Sequence, residues 1–127
     1  MPTYNQPDFL KVVLDSIVMQ DFKDYEVIIS DDSTNDESGK LIEKYKAKIP
    51  NLTYFRNIPS KKSPMSWNEA IKHAEGEYIK VQHSDDWFSD STALRKFVSM
   101  LDSHPESDFA FSGAFVCDKN QKIKIII

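Results

Sequence analysis

Glycine is scarce in this 127-residue chain: there are three, at positions 39, 76 and 113. That scarcity excludes both GxGxxG and GxxxxGK[ST], so neither a glycine-built dinucleotide turn nor a Walker-type phosphate loop is present. Cysteine is scarcer still. The single Cys117 rules out an internal disulfide and a cysteine-cluster zinc site, and it is compatible with a reducing compartment. No apolar run approaches the roughly 20 residues of a membrane-spanning helix, and no signal peptide is recognisable, so the cytoplasm is the expected setting. Positive charge is not in excess: 16 Lys and Arg against 20 Asp and Glu leave a net −4. With no basic stripe to meet a phosphate backbone, nucleic acid is not an expected partner. His73, His83 and His104 are scattered, and no Ser-His-Asp arrangement can be argued from them.

What remains is an ordinary folded composition, 40% hydrophobic and 28% charged, of a length that suits one domain over residues 1–127. Leu10, Val13, Leu14, Ile17 and Val18 recur at helical spacing, with Asp8 as the expected N-cap. Tyr25 to Ser30 reads as a buried strand. A second helix carries Leu41, Ile42, Tyr45 and Ile49 and ends before Pro50, and Leu52 to Arg56 is a short strand. Pro64 opens a third helix that stops at Gly76. Tyr78 to Val81 is predicted as a strand. A fourth helix, capped by Asp90 or Ser91, turns Leu94, Phe97, Val98 and Leu101 inward. Phe109 to Cys117 and Ile123 to Ile127 suggest a closing hairpin. This alternation predicts an α/β, Rossmann-like, mostly parallel sheet with helices on both faces and right-handed crossovers.

Two acidic pairs stand out: Asp31-Asp32 in YEVIISDDSTND and Asp85-Asp86 in GEYIKVQHSDDWF. Each follows an apolar run, which places it at the carboxyl edge of the sheet, where open α/β folds bind ligands. Adjacent carboxylates repel unless a divalent cation or ligand hydroxyls offset them. Hard oxygen donors suit magnesium or manganese bridging to a diphosphate.

Five strings in this order resemble glycosyltransferase family 2: Pro2-Thr3-Tyr4-Asn5, Gln20 ahead of YEVIISDDSTND, Trp67-Asn68-Glu69-Ala70-Ile71, Ala74-Glu75-Gly76-Glu77-Tyr78-Ile79, and Ser84-Asp85-Asp86. The likeness runs from Pro2 to about Leu101. It implies a GT-A nucleotide-sugar-binding fold and sugar transfer with inversion, as in polysaccharide biosynthesis. The donor is expected to be a nucleotide sugar, a UDP-sugar first, and the acceptor a saccharide or lipid-linked hydroxyl. The enzyme would then sit in the cytoplasm or against the inner face of the membrane.

By the same resemblance, Tyr4 would line the nucleobase, with Pro2 and Thr3 shaping its turn. Asp31 would accept from the base, and Asp32 would sit beside it in the nucleoside pocket. Asn68 belongs to the same donor-nucleotide set. Asp85 would contact the ribose or the donor sugar, and Asp86 would ligate magnesium or manganese. The chain departs from the family at His83, where Asp is usual. It departs again at Asn57-Ile58-Pro59-Ser60-Lys61-Lys62, where Asn-x-Gly is usual. The family's opening apolar strand and its acceptor half, which carries the catalytic base, are expected to lie outside these residues, so the domain reads as partial. An open sheet edge would then favour a homodimer. Two rivals stand beside this reading: a non-catalytic sugar-nucleotide-binding or assembly module, and a phosphoacceptor receiver domain, which would need a Lys at a later strand end.

Overall fold

A computed structural model of the chain describes residues 1–118 and 120–126. Three parallel strands form its main sheet: β1 (Pro2–Thr3), β2 (Val27–Asp31) and β3 (Leu52–Arg56), in the order β1-β2-β3. Pro2 lies opposite Ser30 and Thr3 opposite Asp31, while β3 pairs along its whole length from Val27–Leu52 to Asp31–Arg56. The helices are α1 (Pro7–Val18), α2 (Glu37–Glu43), α3 (Met65–Lys72) and α4 (Ala93–Ser103). A separate antiparallel pair consists of β4 (Phe115–Cys117) and β5 (Ile123–Ile126). Two compact units divide the chain, residues 1–95 and residues 96–127. No helix among the described residues is long and apolar enough to cross a membrane.

All five residues of β2 are buried. A strand sends successive side chains to opposite faces, so burial of every position requires cover on both, the usual condition of a parallel sheet. The apolar stripe of α1 (Leu10, Val13, Leu14 and Ile17) provides much of the core, with Ile42, Tyr45 and Ile49 beside it. The Tyr45 hydroxyl donates to Asp15 Oδ1 at 2.6 Å, which ties α1 to the turns that follow α2. α3 packs against β1 and β2.

Several boundaries differ from the expectation. Gln6, not Asp8, is the N-cap of α1. Pro7 takes the first helical position, where its missing N–H costs nothing, and Asp8 sits in the first turn, where a carboxylate favours the helix dipole. The predicted strand Tyr78–Val81 makes no ladder. Its neighbour would have to offer a row of backbone groups, but β1 has two residues, and Pro2 has no N–H to give. Tyr78, Ile79 and Val81 are accordingly exposed. α2 ends at Glu43, although Tyr45 and Ile49 remain in the core. No residue of α4 is fully buried, and Phe109 to Ala114 forms no strand. Ile127, the last residue of the predicted hairpin, and Lys119 in its turn lie outside the described residues.

Gln20 is wholly buried and joins distant parts of the first unit. Its Nε2 donates to the carbonyls of Ser16 (3.0 Å) and Asp90 (2.8 Å), and its Oε1 accepts the N–H of Leu94 (3.0 Å). It therefore meets one of the backbone donors that the start of α4 leaves open. Replacing Gln20 by Leu strands those groups without changing the volume much. We expect a loss of about 2 kcal/mol or more in urea denaturation; a variant as stable as the parent would show that these bonds contribute nothing.

Candidate functional site

The pleat at the end of β2 separates the first acidic pair. Asp31 is fully buried and faces β3: its Oδ2 accepts the Tyr54 hydroxyl at 2.9 Å and its Oδ1 accepts the Ser33 N–H at 2.8 Å. Burial, and then the bond to Asp31, push the Tyr54 phenol up to about 12, so it remains a donor at neutral pH. Gly39 of α2 lies against this tyrosine; a Cβ there would stand 3.0 Å from the Tyr54 oxygen.

Asp32 points the other way and organises the loop after β3. Its Oδ1 accepts from Asn57 Nδ2 (2.8 Å) and the Lys61 N–H (3.0 Å), and its Oδ2 from the Lys62 N–H (2.8 Å). Lys62 holds φ at 59°, a conformation side chains rarely adopt, and the carboxylate helps to keep it there. A carboxylate has about four acceptor positions; these three bonds leave one, on Oδ2. Asn57 also donates to Ser30 Oγ (2.8 Å), which lies 3.0 Å from Ser66 Oγ on α3.

Beside Asp32, within the first unit, lies an open cleft of about 250 Å³. β1 and the turn after it contribute Pro2, Thr3, Tyr4 and Gln6; α3 and its approach contribute Ser63, Ser66 and Trp67; the second acidic loop contributes His83, Ser84 and Asp85. Two contacts join these walls. Ser84 donates to Gln6 Oε1 at 3.3 Å, and the Trp67 and His83 rings meet edge to face at 4.7 Å. Among the described residues, Thr3 Oγ1 is a buried side-chain polar atom with no hydrogen-bond partner. Such atoms are rare in folded proteins.

Of the residues singled out in the sequence, Pro2, Thr3, Tyr4, Asp32 and Asp85 line this cleft. Asp31 does not, because it lies on the opposite face of β2. Asn68 is exposed on α3, away from the helix face that buries Ser66 and Ala70. Asp86 follows Asp85 in the chain and is exposed. Its charge acts on the Lys80 ammonium, whose pKa burial lowers. Among the described residues no three His, Cys, Asp or Glu side chains gather into a cage for an ion. Magnesium does not need one, since it is commonly held by one or two carboxylates plus substrate phosphates and water. The exposed Asp85-Asp86 pair fits an ion that brings its remaining ligands with it.

Sequence reasoning passed over Gln6 and Ser66, and it named Asn57 and Ser84 only as parts of longer strings, without a role for either. For Asn57 a signal existed: it directly follows β3, the same carboxyl-edge position that the first acidic pair occupies on β2. Ser66 carries no such mark, because an isolated serine reads the same in a helix face as in a pocket wall.

The profile of the family described as Glycosyl transferase family 2 matches residues 1–125. The poly(ribitol-phosphate) beta-glucosyltransferase of Bacillus spizizenii is 37% identical over 75% of this chain and 16% of its own length. The putative glycosyltransferase EpsE of Bacillus subtilis is 30% identical over 94% of this chain and 43% of its own. Among solved structures, Staphylococcus aureus TarS 1-349 in complex with UDP superposes with a TM-score of 0.75 at 33% identity, covering 82% of this chain and 31% of that one. A mannosyltransferase from Pyrobaculum calidifontis in complex with GDP-Man and Mn2+ gives 0.71 at 25% identity, covering 93% and 34%. The chain thus spans less than half the length of each of these relatives.

The Asp32 bonds make a direct prediction. Asp32→Ala should speed amide hydrogen exchange at Lys61 and Lys62 by about fivefold or more while Ile28, in the middle of β2, keeps its protection. Unchanged exchange at the two lysines would mean that the carboxylate does not hold the loop.

Proposed function

The chain belongs to glycosyl transferase family 2, and we propose that it carries the donor-binding part of an enzyme that moves a sugar from a nucleoside diphosphate to an acceptor hydroxyl with inversion. The observation that carries this reading is the cleft itself. Thr3 and Tyr4 from β1 and its turn, Asp32 from the residue after β2 and Asp85 from the second acidic loop come from three separate parts of the sequence and meet around one open volume. Thr3 is itself 4% exposed, so it shapes the wall of this volume rather than reaching into it.

Each residue then has a task its chemistry allows. Tyr4, more than half exposed at 56%, offers an aromatic face to a base. Asp32 has one acceptor position left for an N–H donor such as the imide of uracil. Asp85 is exposed and open to hydroxyls of the ribose or of the transferred sugar. Asp86, with Asp85 beside it, would hold magnesium or manganese. Such an ion would neutralise the charge that develops on the departing diphosphate. In a single displacement the acceptor gives up its proton to a general base as the donor bond breaks. The likeness to the UDP-bound TarS structure favours a UDP-sugar. The poly(ribitol-phosphate) transferase likeness favours a cell-surface polymer as the product class, with a saccharide or lipid-linked acceptor.

Calorimetry of UDP, GDP and dTDP, with and without manganese, tests this. One nucleotide should bind, manganese should tighten it, and Asp86→Ala should abolish the manganese increment while leaving metal-free binding in place. No binding of any of the three at millimolar concentration would end the donor-site reading.

A further inference from the structure

The turn that carries Tyr4 is held from outside the cleft. Asn5 sits at φ 50°, in the left-handed region that Asn tolerates better than most residues. Its backbone N–H donates to Ser33 Oγ at 2.8 Å. Its side chain closes on Thr34 twice over: Oδ1 accepts the Thr34 N–H (3.0 Å) and hydroxyl (3.2 Å), and Nδ2 faces Thr34 Oγ1 at 3.1 Å. Ser33 is in turn fixed from below. Asp31 Oδ1 takes its N–H, and Arg56 donates to its carbonyl from Nε (3.0 Å) and Nη2 (2.9 Å). Asp31 is kept in place by Tyr54. Neither Asn5, Thr34, Ser33 nor Asp31 lines the cleft.

We infer that Asn5 and Thr34 form a clasp, anchored through Ser33 on buried Asp31, that sets the position of Tyr4 at the cleft mouth and so tunes nucleobase binding. This rests on the proposed function for its ligand, but not for its geometry. Tyr4 is an exposed aromatic in the turn that follows a two-residue strand, with little packing to immobilise it. Cross-links from the adjacent strand end therefore decide how ordered it is before a ligand arrives, and order acquired in advance lowers the cost of binding. Asp31 acts as a positioning residue: its two oxygens bond protein donors and reach Tyr4 only through Ser33 and Asn5.

The reading separates Asn5 from an ordinary structural residue by what happens when Tyr4 is removed. Thr34→Val deletes the hydroxyl half of the clasp without touching the backbone conformation of Asn5; Asn5→Gly keeps the left-handed turn and deletes the side chain. Each should weaken binding of the nucleotide identified by calorimetry by roughly fivefold, the effect of about one net hydrogen bond. In a Tyr4→Ala background both should have almost no further effect, because they act through that ring. Asp31→Asn, which still presents an acceptor oxygen to Ser33, should bind nearly as the parent does, whereas a direct contact from Asp31 to a base N–H would be lost. Losses that simply add to Tyr4→Ala would overturn the clasp.

A second measurement needs no ligand. In the free protein the Tyr4 amide should have an NMR order parameter near the rigid value of about 0.85, falling toward about 0.6 in Thr34→Val. An unchanged order parameter refutes the clasp even where the parent binds nucleotide. A parent that binds none refutes the proposed function and leaves the order parameter to decide the clasp on its own.

Discussion

At the carboxyl end of β2 two adjacent aspartates are buried and part to opposite faces of the sheet, and the site depends on which hydrogen-bond donors satisfy each of them. A buried carboxylate is costly unless donors surround it. Asp31 meets this requirement with the Tyr54 hydroxyl and the Ser33 N–H, and Asp32 with Asn57 and two loop amides. The donors come from β3, from the loop after it and from the loop after β2. Stabilising the two charges therefore also positions the segments around the cleft. Removing either carboxylate would free backbone groups well beyond its own position.

The second acidic pair shows the opposite economy. Asp85 and Asp86 are exposed, so water can take the place of internal donors around them. Under the proposed function, carboxylates of this kind would hold the metal ion that meets a diphosphate in a chain with no glycine-built phosphate cradle. The two pairs are alike in sequence and unlike in physics: the first is spent largely on architecture, the second is left open toward solvent. Asp32 bridges the categories, with three bonds committed to the loop and one acceptor position uncommitted at the cleft wall.

Much of the fold was legible because its signals are local or periodic. Leu52 to Arg56 appears as β3 with the boundaries read from its sequence, and the α1 stripe of Leu10, Val13, Leu14 and Ile17 is buried as its spacing implies. The run Tyr78–Val81 has the composition of a strand but makes no ladder, since pairing depends on what the neighbouring strand offers and not on the run itself. The capping of α1 was misplaced for a related reason. Asp8 has the right chemistry for an N-cap, yet Pro7 had already taken the first helical position and moved the cap to Gln6.

By itself the sequence determined that this is an α/β chain with an acidic pair at the end of β2, no glycine phosphate loop and the linear motifs of its family, because all of these are written in residue type and spacing. Only the tertiary structure decided which of two neighbouring aspartates meets the cleft, that Asn57 and Gln20 are internal struts, and that Asn5 reaches across to Thr34. Those outcomes turn on the direction of a pleat and on contacts between residues from about 25 to more than 70 positions apart. Such contacts form when the chain closes on itself, and no stretch of sequence read alone contains both partners.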